Sequence, residues 1–168
     1  MASFLRASSN KRRWDSEGWV PEGDIPAGPF GDLAPSPTSG LSVWLVEEDQ
    51  SNLSRIVAAL AGGRNYLDKF DYVLIDEQSV LELQLEIEQR AERCADEDAS
   101  ARWHRNMVRL TGSKLHALVR LIYSRGLKKR VLKPDVEGIL RNALDQGHLD
   151  RFQVNENLLT SLTAGQNH

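Results

Sequence analysis

Between positions 18 and 40 the chain places five of its six prolines (Pro21, Pro26, Pro29, Pro35, Pro37) and five glycines (Gly18, Gly23, Gly28, Gly31, Gly40). Proline lacks an amide donor and glycine adds backbone entropy, so this stretch is unsuited to helix interiors and to central strands. A packed core therefore has to be assembled from Leu41 onward, and residues 1–40 read as an extended or flexible N-terminal arm. Trp14, Trp19 and Phe30 favour an arm laid across the domain, because solvated linkers seldom carry three aromatics. Residues 1–13 hold four cations and no acid. That composition suits a solvated terminus, a basic arm on an anionic or protein partner, or an organelle transit peptide.

From Leu41 the hydrophobic pattern becomes regular. Leu41–Val46 is a short apolar run with β-branched residues, read as a buried strand. Leu53, Ile56, Val57 and Leu60 follow at helical spacing, with Asp49, Ser51 or Asn52 to cap the helix and Gly62-Gly63 to end it. Tyr72–Ile75 is a second strand. Residues 77–93 carry both periods, and the preferred reading is a helical turn at 77–82 and a strand at 84–89. Leu115, Leu118, Val119 and Ile122 mark a helix closed by Gly126. Val136, Ile139, Leu140, Ala143 and Leu144 mark another, with Pro134 in its first turn and Gly147 after its end.

The expected fold is α+β. A small sheet from 41–46, 71–75, 84–89 and 103–110 is packed by amphipathic helices near 51–61, 113–125 and 134–146. A mostly α arrangement, with 77–125 as long helices, is the alternative. With 168 residues, 40% of them hydrophobic and 27% charged, the chain suits one globular domain over 41–150, followed by a polar tail over 151–168. No apolar run approaches the roughly 20 residues of a spanning helix, so no membrane partner is expected. The single Cys94 can form neither an internal disulfide nor a zinc cluster, which points to a reducing, cytoplasmic compartment.

Charge gives the main functional lead. Residues 41–100 hold 14 acids and 5 bases, whereas residues 101–133 hold 10 bases and no acid. Ten cations without counter-charge repel one another. Either the acidic 77–98 segment neutralises them within the molecule, or a polyanion does so from outside. On the second reading Arg105, Arg109, Lys114, Arg120, Arg125, Lys128, Lys129, Arg130 and Lys133 form an anion-binding set, with the Lys128-Lys129-Arg130 cluster exposed between two helices. Trp103 and Tyr123 lie in the same block, as core residues or as stacking platforms.

Motifs for chemistry are sparse. There is no Walker A loop, no nucleophile elbow, no H-E-x-x-H and no C-x-x-C. His104 and His116 are 12 residues apart, about 120° around one helix, and cannot share a metal there. Thr111-Gly112-Ser113-Lys114 before a helix offers free amides to a phosphate, or simply a helix cap. His104 among arginines is either a neutral general base or a buried polar residue. Cys94, surrounded by Glu92, Asp96 and Glu97, is expected to be a poor nucleophile.

The function expected from these features is that of an intracellular, non-enzymatic binding or accessory protein, alone or as a subunit of a larger complex, whose segment 102–133 contacts an anionic partner, nucleic acid in the first place or another polyanion. No cofactor or metal is expected. A small enzyme acting on a nucleotide or RNA phosphate through His104 and the Thr111–Lys114 turn is one alternative. An adaptor pairing its acidic and basic blocks between copies is the other.

Overall fold

A computed structural model describes residues 1–8, 14, 24–36 and 40–164. The expected α+β class is observed, with a six-stranded sheet at its centre. The strands are β1 (Ser3–Ser8), β2 (Leu41–Val46), β3 (Phe70–Asp76), β4 (Glu86–Gln89), β5 (His104–Val108) and β6 (Leu127–Val131). Their order across the sheet is β4-β5-β2-β1-β3-β6, and every neighbouring pair is antiparallel. The helices are α1 (Gly28–Asp32), α2 (Leu53–Gly62), α3 (Glu77–Glu82), α4 (Glu97–Trp103), α5 (Gly112–Arg125), α6 (Lys133–Asp145) and α7 (Glu156–Ala164).

Both sheet faces are covered. One core gathers Leu5, Trp44, Val46, Phe70, Tyr72 and Leu74 against α2, α4, α6 and α7. The other gathers Phe4, Leu41, Val43, Val73, Ile75 and Met107 against α3, α5, Trp14 and Leu33. Alternation along the strands explains the division, since successive side chains point to opposite faces. The helices at 53–62, 112–125 and 133–145 and the strands at 41–46, 70–76, 86–89 and 104–108 lie where the periodicity placed them. The mostly α arrangement is excluded, because β5 interrupts 102–125 and α5 begins only at Gly112.

Three segments differ from expectation. Residues 3–8 are not part of an arm: β1 lies between β2 and β3, with Leu5 opposite both Trp44 and Leu74. On the second face β1 also carries a buried polar network. The Asp32 carboxylate accepts from Ser8 Oγ at 2.7 Å and Trp14 Nε1 at 3.1 Å, while Arg6 donates to the carbonyls of Asp32 and Ser42, each at 2.9 Å. Trp14 and Leu33 are buried, so at these positions the N-terminal region is laid on the sheet; Trp19 lies outside the described residues. Residues 127–131, expected as a link between helices, form edge strand β6. The polar tail contains α7, whose Leu158 and Leu162 close the first core.

Leu5 is 0% exposed. Leu5→Ala is expected to cost about 2–5 kcal/mol in urea unfolding, as for buried leucines generally, whereas a residue of a loose arm changes stability by under about 0.5 kcal/mol.

Candidate functional site

The turn from α5 into β6 is tight. Gly126 N–H donates to the Ile122 carbonyl at 2.8 Å, and a Cβ at Gly126 would lie 2.5 Å from that oxygen, so the position requires glycine. β6 then runs antiparallel to β3, with Leu127, Lys128, Lys129, Arg130 and Val131 opposite Leu74, Val73, Tyr72, Asp71 and Phe70. Lys129 therefore projects on the first face, beside Tyr72, and Lys128 and Arg130 project on the second.

Arg130 is held. Its Nε and Nη2 donate to the two oxygens of Asp71 at 2.6 and 2.8 Å, and Asp71 is only 3% exposed. This bidentate, charge-assisted pair fastens β6 to β3. Arg130 therefore leaves the expected anion-binding set, because it already answers a buried carboxylate. Arg109 leaves it as well: its guanidinium contacts Glu86 and lies 3.8 Å from Glu88, both on β4. Arg105 is half-buried and donates to the carbonyls of Arg102 and His104, while Arg102 reaches Asp98 at 3.4 Å.

The rest of the set is differently placed. Among the described residues, Lys114, Arg120, Arg125, Lys128, Lys129 and Lys133 have no carboxylate within ion-pair distance. Arg120, Arg125, Lys129 and Lys133 are exposed and Lys114 is half-buried. Lys128 Nζ donates to the Tyr123 carbonyl at 3.1 Å and sits 5.2 Å from the Tyr123 ring, an interaction that leaves its charge uncompensated. The basic block thus divides at Gly112. Residues 102–109 lie among the acids of β4 and α4, and residues 114–133 form a basic ledge that runs from α5 on the second face, over edge strand β6, to the start of α6 on the first. Exposed Asp135 is the acid closest in sequence to the ledge.

The other candidates are accounted for by packing. His104 is 0% exposed on the first face of β5, with Nε2 2.8 Å from Ser42 Oγ and Nδ1 against the Arg90 carbonyl. The charged group facing its ring is Glu92, 3.4 Å from Nε2, while the Arg105 guanidinium reaches the His104 backbone carbonyl. Thr111 caps α5 by accepting from Lys114 N–H at 3.3 Å, beyond the opposite end of β5 from His104. These two features do not meet in one site. His116 is exposed and stacks on Phe30 at 6.0 Å. Burial pushes the Cys94 thiol above its usual value, with Asp96 and Glu97 adding to the shift against a backbone hydrogen bond at Asp96. Among the described residues no helix is long and apolar enough to cross a membrane.

Sequence reasoning missed one region beside the ledge. A cleft of about 410 Å³ lies where β1 and β3 meet the loop after α2, and Arg64, Tyr66, Lys69 and Asp71 line it. These residues fall in the acidic half of the sequence, where net charge concealed them. The only signal is the local run Arg64-Asn-Tyr-Leu-Asp-Lys69, in which an aromatic sits between two cations.

Compared with known proteins, the chain matches no family model, no curated protein and no solved structure.

The division between held and free cations has a thermodynamic consequence. Arg130→Ala, which removes the bidentate partner of the buried Asp71 carboxylate, is expected to cost about 3 kcal/mol, the low end for breaking a buried pair. Lys129→Ala on the neighbouring position should stay within about 0.5 kcal/mol. Parallel urea melts of the two variants measure the difference.

Proposed function

We propose that this protein is a non-enzymatic accessory protein that holds nucleic acid along the ledge of α5, β6 and the first turn of α6. The observation that supports this reading most is a set of six cations on adjoining elements, Lys114, Arg120, Arg125, Lys128, Lys129 and Lys133, without ion pairs among the described residues. Phosphates neutralised by such side chains release counterions, so affinity falls steeply with salt. The burial of His104 favours this reading over catalysis on a phosphate, since a general base must reach its substrate.

A second reading rests on the strand order. The two ends of the sheet, β4 with Glu86 and Glu88 and β6 with Lys128 and Lys129, carry opposite charge. Copies that joined these edges head to tail would form an adaptor or filament. Lysines on an edge strand also discourage edge-to-edge pairing, which weighs against it.

The test is retention on a polyanion column and binding of a labelled oligonucleotide across a salt series. Arg130 must be left intact, because a glutamate there would face Asp71. Lys129→Glu/Lys133→Glu is expected to elute at lower salt than the parent. It should also flatten the slope of log K against log salt by roughly 0.7–0.9 for each phosphate that is no longer neutralised. An unchanged slope and elution position would remove the proposal. A sedimentation coefficient that rises with protein concentration and falls with salt, without oligonucleotide binding, would transfer support to the head-to-tail reading.

A further inference from the structure

The cleft beside β3 combines an exposed aromatic ring with two cations and two acids. Tyr66, on the loop between α2 and β3, is 70% exposed. On that loop Arg64 turns inward: its guanidinium lies 4.6 Å from the Phe70 ring centroid and donates to the Lys69 carbonyl at 3.0 Å. Lys69 is exposed at the start of β3. The inner wall is Asp71, whose carboxylate is occupied by Arg130 of β6. The cleft therefore adjoins the basic edge strand: beyond the Phe70–Val131 pair the two chains lead to Lys69 on one side and to Leu132 and then Lys133 on the other. Asp68 is the remaining acid of the lining, against Arg64 and Lys69.

We infer that this cleft takes one nucleobase of a single-stranded polynucleotide, stacked on Tyr66, with the adjoining phosphates on Lys69 and the ledge cations. The inference rests on the nucleic-acid reading above and narrows it to single strands. Every base has a π-face, so an exposed ring beside cations captures bases without regard to sequence. A duplex keeps its bases stacked on one another and offers Tyr66 none. A volume of about 410 Å³ lies in the range of small-molecule pockets and accommodates a nucleotide unit. The division of labour is physical: the ledge supplies salt-sensitive affinity for any polyanion, and the cleft supplies the preference for unpaired bases.

Fluorescence anisotropy with labelled oligo(dT) of about 20 nucleotides and a mixed-sequence duplex of equal length tests this. The parent protein is expected to bind the single strand more tightly than the duplex. Tyr66→Ala should weaken single-strand binding about tenfold, within the range for losing one stacked base, while leaving duplex binding and the salt slope unchanged. Tyr66→Trp should restore the preference, and photo-crosslinking of a 5-iodouracil oligonucleotide should map to Tyr66. If Tyr66→Ala binds the single strand as tightly as the parent while Lys129→Glu/Lys133→Glu does not, the stacking role is overturned and the ledge reading stands. If thymidine monophosphate competes as well as oligo(dT) at equal nucleotide concentration, the cleft is a mononucleotide pocket and the single-strand assignment is overturned. If the parent binds neither oligonucleotide, the nucleic-acid reading itself falls.

Discussion

The insertion of β1 between β2 and β3 governs both the fold and its electrostatics. Removing that strand would leave two incomplete sheets, β4-β5-β2 and β3-β6, each with an open inner edge. With it, the acidic edge at β4 and the basic edge at β6 stand five strand spacings apart, about 24 Å at the usual separation. That distance is more than twice the Debye length at physiological salt, so charges exposed at the two edges scarcely sense each other. The acids of 77–98 and the bases of 101–133 are contiguous in sequence, but the sheet permits only the first bases of the block to meet them. Arg102 finds Asp98 and Arg109 finds Glu86 and Glu88; α5 then leads from the end of β5 to β6, so Lys114 stays near β5 while Arg125, Lys128 and Lys129 reach the far side.

Specific polar bonds hold this separation in place. Asp71 and Arg130 join β6 to β3, and the Asp32 carboxylate ties Ser8 of β1 and Trp14 to the second face. A third pair, Arg55 with Asp96 at 2.6 and 2.9 Å, fixes α4 to α2 on the first face. Each couples a buried carboxylate to its donors, so each is costly to break from one side. Asn106, opposite Ser42, and the Trp44 indole are buried in the sheet with polar atoms that have no hydrogen-bond partner among the described residues.

What the sequence made legible follows from these forces. Strands and helices whose stability comes from apolar periodicity, such as β2, α2, β3, α5 and α6, stand out because burial of one face leaves a repeating signal. β1 does not. Phe4 and Leu5 are adjacent and buried on opposite faces, and Arg6 and Ser8 are polar because they serve the Asp32 network. β6 was hidden for a related reason: two of its five residues are lysines and its anchor is Arg130, whose partner lies 59 positions earlier. Among the site residues, the ledge cations were readable as a charge run. Which of them are free was not, because pairing depends on strand order. Tyr66 was obscured by the net negative charge of its surroundings.

A positive potential at one end of the sheet, which the negative end does not cancel, underlies every functional property proposed for this molecule. Paramagnetic relaxation of backbone and side-chain protons by paired cationic and anionic nitroxide co-solutes reads the near-surface potential residue by residue. The anionic probe should be enriched over residues 114–133 and the cationic probe over residues 82–92, with the contrast surviving at physiological salt. Equal relaxation by both probes over the two regions would mean that the cations are already compensated, and the proposed nucleic-acid role would lose its physical basis.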